Sequence, residues 1–358
     1  MGGLLYREDI DEVRGRIRTW WHGGDIGRPF MQLWAPRKKP MENIEAMPKP
    51  AGWLTDYSTS NFDYRVNLSD RACINTHFLG EAVPRVAPHL APNCLALYLG
   101  CQGLEMPDTC WCEPFIQDPE EAEFIFDPDN YYWKYTLRLA MKQIEIGRGR
   151  YLMEFPDLIE GLDTLAAMRG TKNLILDMRR RPEWVMDAMR RITDLYFHYY
   201  DILYDMLRDE VGGSIYWVWA PGRMSKFQCD FAAMISPGMF EEFMLPVLVE
   251  MCERVSYCMF HWDGPGALPH HDLLLSIPRL DLLQWTPGTG AEPAHHERWW
   301  PIYHRTIEAG KGVYIGCSNL DGILAMKEEF GDGFKRFMIG TQAGSLQQAE
   351  EILDLVSD

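Results

Sequence analysis

His261 and Asp263 stand two residues apart in Phe260-His261-Trp262-Asp263-Gly264. On a strand that spacing turns both side chains to one face and offers an imidazole and a carboxylate to one metal ion or one proton. Cys317, in Gly316-Cys317-Ser318-Asn319, would bring a thiol from a later strand. A His261/Asp263/Cys317 set leaves one position open for water or substrate, as catalytic zinc sites do, so zinc is the metal this pattern suggests. The competing reading is structural: Asp263 caps the loop entering Gly264-Pro265-Gly266, His261 bonds to it, and Cys317 fills core space.

Glu154, Asp157 and Glu160 form an acidic group after another apolar run, where one could act as general base or meet a substrate cation. Helix capping is the alternative, and it leads for Asp157. Trp217, Trp219 and Trp285 could wall a pocket, stacking a flat substrate or attracting a methylated cation. Strand alternation would put Trp217 and Trp219 on one face, with Tyr216 and Val218 toward the helices; both tryptophans could equally be interior filling. Gln284 and Gln342 also fall at strand ends. The pairs His270-His271 and His295-His296 diverge as neighbours do and read as surface. Glu292 and Arg298 read as loop charges.

These positions require strands to hold them, and from about residue 94 short apolar runs alternate with amphipathic segments. The pattern predicts strands at 94–100, 151–155, 173–177, 214–220, 257–261, 281–285, 313–317 and 337–340, with helices at 131–147, 182–209, 237–255, 296–309 and 346–356. Ser236-Pro237 and Ser345 have helix-opening chemistry. Eight alternations without a Gly-x-Gly-x-x-Gly motif predict an α/β fold of the closed (β/α)8 barrel type, in which active residues lie at the carboxyl ends of strands. Residues 1–358 read as one barrel domain, with 1–50 an N-terminal extension packed on it.

The formal charge of -17 argues against a nucleic-acid partner, and Arg179-Arg180-Arg181 reads as the solvated start of a helix. No apolar stretch reaches membrane-spanning length and no secretion signal opens the chain, which predicts a cytoplasmic protein. Nine irregularly spaced cysteines predict reduced thiols, with Cys110 and Cys112 one residue too close for a zinc knuckle. Trp20, Trp21 and Trp34 could cover the chain's own body or a second copy in a homodimer.

Several segments resemble the uroporphyrinogen decarboxylase-like superfamily, nearer its corrinoid-linked methyltransferase branch. They are Leu158-Ile159-Glu160-Gly161-Leu162-Asp163 through Arg181-Pro182-Glu183-Trp184-Val185, Ile235-Ser236-Pro237 through Leu245-Pro246, Phe260-His261-Trp262-Asp263-Gly264, and Tyr314-Ile315-Gly316-Cys317-Ser318-Asn319-Leu320-Asp321. Thr76-His77-Phe78-Leu79-Gly80-Glu81 resembles an early loop near the barrel mouth, where His77 or Glu81 would touch ligand; a solvated pair is the alternative. The resemblance spans about residues 75–356.

It implies an enzyme moving methyl between a small methylated substrate and a corrinoid (cobalamin-type) cofactor carried by a partner protein, with zinc assisting. Two departures qualify this. The arginine-rich opening of true uroporphyrinogen decarboxylases has no counterpart here, which argues against porphyrinogen decarboxylation. The branch's His-x-Cys becomes His261-x-Asp263, and the last strand, Ile339-Gly340-Thr341-Gln342, lacks the later cysteine. A metal-independent decarboxylase or lyase and a non-catalytic ligand-binding barrel are the alternative readings.

Overall fold

The computed structural model describes residues 3–50, 59–90, 92–106 and 109–357. Its strands are β1 (Phe30–Pro36), β2 (Thr76–Gly80), β3 (Arg85–Val86), β4 (Gln102–Glu105), β5 (Cys110–Glu113), β6 (Leu152–Met153), β7 (Ser214–Tyr216), β8 (Val218–Ala220), β9 (Met224–Gln228), β10 (Tyr257–Asp263), β11 (Leu282–Thr286), β12 (Gly312–Gly316) and β13 (Phe337–Gln342). Seven form the central sheet in the order β2-β1-β13-β12-β11-β10-β9. All its neighbours run parallel except the antiparallel β1/β2 pair.

This corrects the expected closed (β/α)8 barrel. The α/β class stands, but the sheet is mixed and ends in two edges, β2 and β9, while β3/β6, β4/β5 and β7/β8 form separate two-stranded pairs. Local chemistry accounts for the difference. The apolar run at 94–100 is a helix, Cys94–Tyr98, buried all round and opened by Asn93, whose side chain accepts the Ala96 N–H. The 173–177 run lies within the helix Thr171–Arg180, where Asp177 bonds Arg169 at 2.7 Å and Arg181 at 2.9 Å. At 214–220 the chain reverses on Trp217, at φ 65°, into the β7/β8 hairpin.

The first fifty residues contribute directly to the sheet: β1 lies between β2 and β13, and its Phe30-Met31-Gln32-Leu33 stretch is buried. Trp20 donates to the Lys335 carbonyl at 2.9 Å and Trp21 to the Trp219 carbonyl at 3.1 Å, so both are tied to the chain's own body. Helices Tyr131–Gly147 and Leu346–Val356 match expectation, whereas 237–255 contains a π-type stretch, Phe240–Met244, ahead of Pro246, which has no N–H to donate. No helix among the described residues is long and apolar enough to cross a membrane.

Register divides the sheet into two faces. Phe227, Phe260, Trp262, Leu283, Trp285, Val313 and Ile315 occupy one and meet the helices. Gln228, His261, Gln284 and Tyr314 are aligned across four strands on the other. Gly316 and Gly340 are paired further along that same face, and an added side chain at Gly316 would meet nothing within 4 Å.

Candidate active site on the polar face

Alternation puts Lys226 and Gln228 of β9, His261 and Asp263 of β10, Gln284 and Thr286 of β11, and Tyr314 of β12 on one face. Lys226 is fully buried, and its ammonium bonds Asp157 Oδ1 at 2.6 Å and also donates to Gln228 Oε1. Burial pushes the Asp157 carboxyl up, but Lys226 beside it wins and holds it below its ordinary value. Tyr216 stacks on Phe155, which packs against Tyr200 of the helix Pro182–Leu207, and its hydroxyl donates to Asp157 Oδ1 at 3.0 Å.

His261 Nδ1 bonds Gln284 Oε1, whose own amide nitrogen donates to Thr286 Oγ1 at 2.9 Å. Burial lowers the His261 pKa, and the Lys226 charge lowers it further, so the neutral ring is favoured. Burial raises the Asp263 carboxyl, and its Oδ1 is enclosed without a hydrogen-bond partner among the described residues.

A second carboxylate joins His261 and Asp263. One ligand atom each from Asp230, His261 and Asp263 lies within 4.8 Å of the others. Asp230 follows β9, where its N–H and that of Phe231 both bond the Asp163 carboxylate at 2.8 Å. The oxygen and nitrogen donors, with one buried oxygen unspent, fit a divalent cation such as zinc or manganese.

Cys317 is not part of this group. It follows β12, two strands from β10, and its thiol bonds the Asn319 carbonyl at 3.4 Å. Strand spacing alone separates it from His261 by about 10 Å.

The tryptophans separate. Trp217 lies edge-on to His261, with ring centres 5.2 Å apart, and the Lys226 ammonium is 4.8 Å from the Trp217 ring. Trp219 points elsewhere, donating to Asp209 Oδ2 at 2.8 Å in an ion-paired cluster with Arg14. Trp285 is on the helix-facing side, packed between Trp262 at 4.8 Å and Trp299 at 5.0 Å.

Glu154 is at the site but fully engaged: Oε2 bonds Arg85 Nε at 2.9 Å, and Oε1 accepts the Trp217 N–H at 2.8 Å. It holds Trp217 in its left-handed conformation, which a bulky residue seldom adopts, rather than offering a free base. Glu160 is buried, with Oε1 on the Gln228 N–H at 2.6 Å, and burial holds its pKa well above normal.

Glu81 is buried away from the site, paired with Arg16 at 2.9 Å and Arg28 at 2.6 Å, which corrects its expected ligand role. His77 borders a separate cleft beside Arg37 and Ser345. Gln342 is exposed at the end of β13, opposite Trp34. His270 and His271, expected at the surface, are buried, bonding the Ala232 carbonyl at 2.9 Å and Thr306 Oγ1 at 3.0 Å.

Sequence reasoning missed Lys226, Asp230 and Arg85. A lysine within Met224-Ser225-Lys226-Phe227-Gln228 was the available signal, since lysine is seldom buried without a partner.

No protein-family model matches the chain, and no curated protein matches it either.

Proposed function

We propose that the chain is a metal-assisted enzyme that removes a methyl group from a heteroatom of a small substrate and passes it to a corrinoid carried by a partner protein. The observation that carries the metal-assisted part is the convergence of Asp230, His261 and Asp263 within 4.8 Å beside the Trp217 ring. The choice of methyl chemistry rests on the resemblance of segments 235–246, 260–264 and 314–321.

Asp230, His261 and Asp263 would hold the cation. When bound, it supplies Lewis acidity toward the heteroatom from which the methyl departs. Two carboxylates and an imidazole are a harder donor set than thiolates, which favours an oxygen leaving group over an acceptor sulfur.

The chain's own residues supply the rest. Gln284 fixes the His261 ring, and Asp163 fixes the backbone at Asp230, so both ligands are oriented before any substrate arrives. Trp217 gives a flat wall against which a methylated group can be aligned for in-line transfer. A reduced corrinoid on the partner protein would supply the nucleophile that takes the methyl carbon; the electrons of the broken bond would remain on the heteroatom, which would then take a proton.

A metal-independent lyase is the second reading, favoured by one observation: the buried Lys226–Asp157 pair under Trp217 is an acid-base couple in its own right. One experiment separates the two. The purified protein is analysed for metals and mixed with free reduced cobalamin and a series of methyl ethers and methylated amines, while the corrinoid spectrum is followed. Methylation that chelation abolishes and metal restores supports transfer. Corrinoid that stays unmethylated with metal-loaded protein overturns it.

A further inference from the structure

We propose that the substrate of this site carries a carboxylate and that Arg85 is the residue that grips it. This deepens the methyl-transfer reading and rests on it for the identity of the reacting group. A cleft of about 450 Å³ lies between helix Phe62–Arg71 and the β3/β6 pair, with Arg65, Ser69, Arg85, His89 and Glu154 on its walls.

Arg85 Nε is bonded to Glu154 Oε2 at 2.9 Å, which sets the guanidinium plane. Its Nη1 is enclosed and has no hydrogen-bond partner among the described residues. A buried guanidinium N–H without an acceptor is costly, and the group that relieves it with least rearrangement is an oxygen anion entering in the plane of the fork.

The position suits a substrate handle. The Glu154 oxygen that does not meet Arg85 accepts the Trp217 N–H at 2.8 Å, and the Trp217 ring abuts His261. Arg85 is therefore linked through two fixed contacts, Glu154 and Trp217, to the wall of the reacting site, so a carboxylate bound there would sit on the Glu154 side of that wall. Glu154 already shares the same guanidinium, which disfavours a dianion such as phosphate and suits the single charge and planar shape of a carboxylate. The Arg65 guanidinium, bonded to the His89 carbonyl at 2.6 Å, adds positive potential on the same wall.

The test is equilibrium binding without turnover, using methoxyacetate and its neutral counterpart 2-methoxyacetamide, followed by calorimetry. Wild-type protein should bind the acid about tenfold or more tightly than the amide. Arg85→Gln should bring the two within about twofold, and Arg85→Lys should fall between. Glu154→Gln, which keeps Arg85 while removing the competing charge, should retain or widen the preference and serves as the reporter should Arg85→Gln fail to fold. No preference in the wild type, a preference that survives Arg85→Gln, or one lost in folded Glu154→Gln overturns the assignment. Because neither corrinoid nor metal enters this measurement, failure of methyl transfer with the preference intact counts against the proposed reaction alone.

Discussion

Gln284 accepts a hydrogen bond from His261 Nδ1 across directly paired positions of β10 and β11. The Gln284 amide nitrogen donates to Thr286 Oγ1, and in this arrangement its oxygen faces the ring. An amide oxygen only accepts, hence Nδ1 carries the proton and Nε2 keeps the lone pair. The nitrogen available to a cation or a substrate proton is thus chosen by a neighbouring strand before any ligand binds.

Removing that choice should weaken the centre without unfolding it. Gln284→Ala is expected to lower divalent-cation affinity by about 10- to 100-fold, as loss of an outer-sphere partner does, with the thermal midpoint shifted by only a few degrees. Calorimetric titration with Mn²⁺ or Zn²⁺, alongside melting curves, checks both halves.

The two carboxylates and the thiol make opposite predictions. Asp230→Asn and Asp263→Asn should each reduce metal affinity by about 100-fold or more, since they remove ligands rather than supports. Cys317→Ala should leave metal content unchanged, because its thiol is committed to Asn319 two strands from β10. Elemental analysis of the three variants decides, and metal lost from Cys317→Ala would return the thiol to the ligand set.

How legible this site was depended on where its residues sit. His261, Asp263 and Gln284 were readable because β10 and β11 are apolar runs that break into polar residues on one face. Lys226 and Asp230 were hidden because Met224–Gln228 has three polar residues in five and reads as loop until burial pairs them. The helix Leu346–Val356 announced itself through Ser345, whose side chain caps the Gln348 N–H, and the structure adds the same device at Tyr131–Gly147, where Asn130 caps the Trp133 N–H. The run at 94–100 misled because a helix buried on every side has no amphipathic period to distinguish it from a buried strand. That the sheet stays open was beyond reach for a related reason: the reversal at Trp217 depends on Glu154 holding its N–H, a contact made across 63 residues of chain.

Proton competition should shape metal binding in a particular window. His261 titrates below its ordinary value of 6.5 because it is buried and faces Lys226, so affinity should vary little between pH 8 and 6.5. Asp263 titrates above its ordinary 3.8 because it is buried, so affinity should fall on further acidification, beginning above that value. Titrations from pH 8 to 5 test the order; a steep loss already between pH 8 and 6.5 would mean an unshifted imidazole.

Trp217 and Trp219 lie two residues apart and should fail differently. Trp217→Ala removes the wall beside His261 and should weaken binding of methylated substrates by about tenfold, whereas Trp217→Gly should lose the same contact yet be about 1 kcal/mol more stable than the alanine variant, since φ 65° suits glycine. Trp219→Phe loses the bond to buried Asp209 and should cost about 1–3 kcal/mol of stability with substrate affinity unchanged. Urea unfolding and ligand titration on the same samples separate the two roles.

Asp163 should make folding stability depend on pH near neutrality. Burial, with Asp230 close by, raises its carboxyl to about 7, while the two backbone N–H groups it accepts pull the other way and only partly offset this. A carboxyl whose folded pKa exceeds its unfolded value favours the native state when protonated. That contribution is complete below the unfolded value near 4 and is lost as the pH rises through about 7. Asp163→Asn cannot titrate and offers one acceptor oxygen to two N–H donors, so it should be less stable than wild type by about 1–2 kcal/mol at pH 5. The gap should narrow by pH 8, where the wild type has ionised its buried carboxyl. Unfolding in urea at both pH values measures it, and a gap that widens with pH would show that the ionised form is the one the fold prefers.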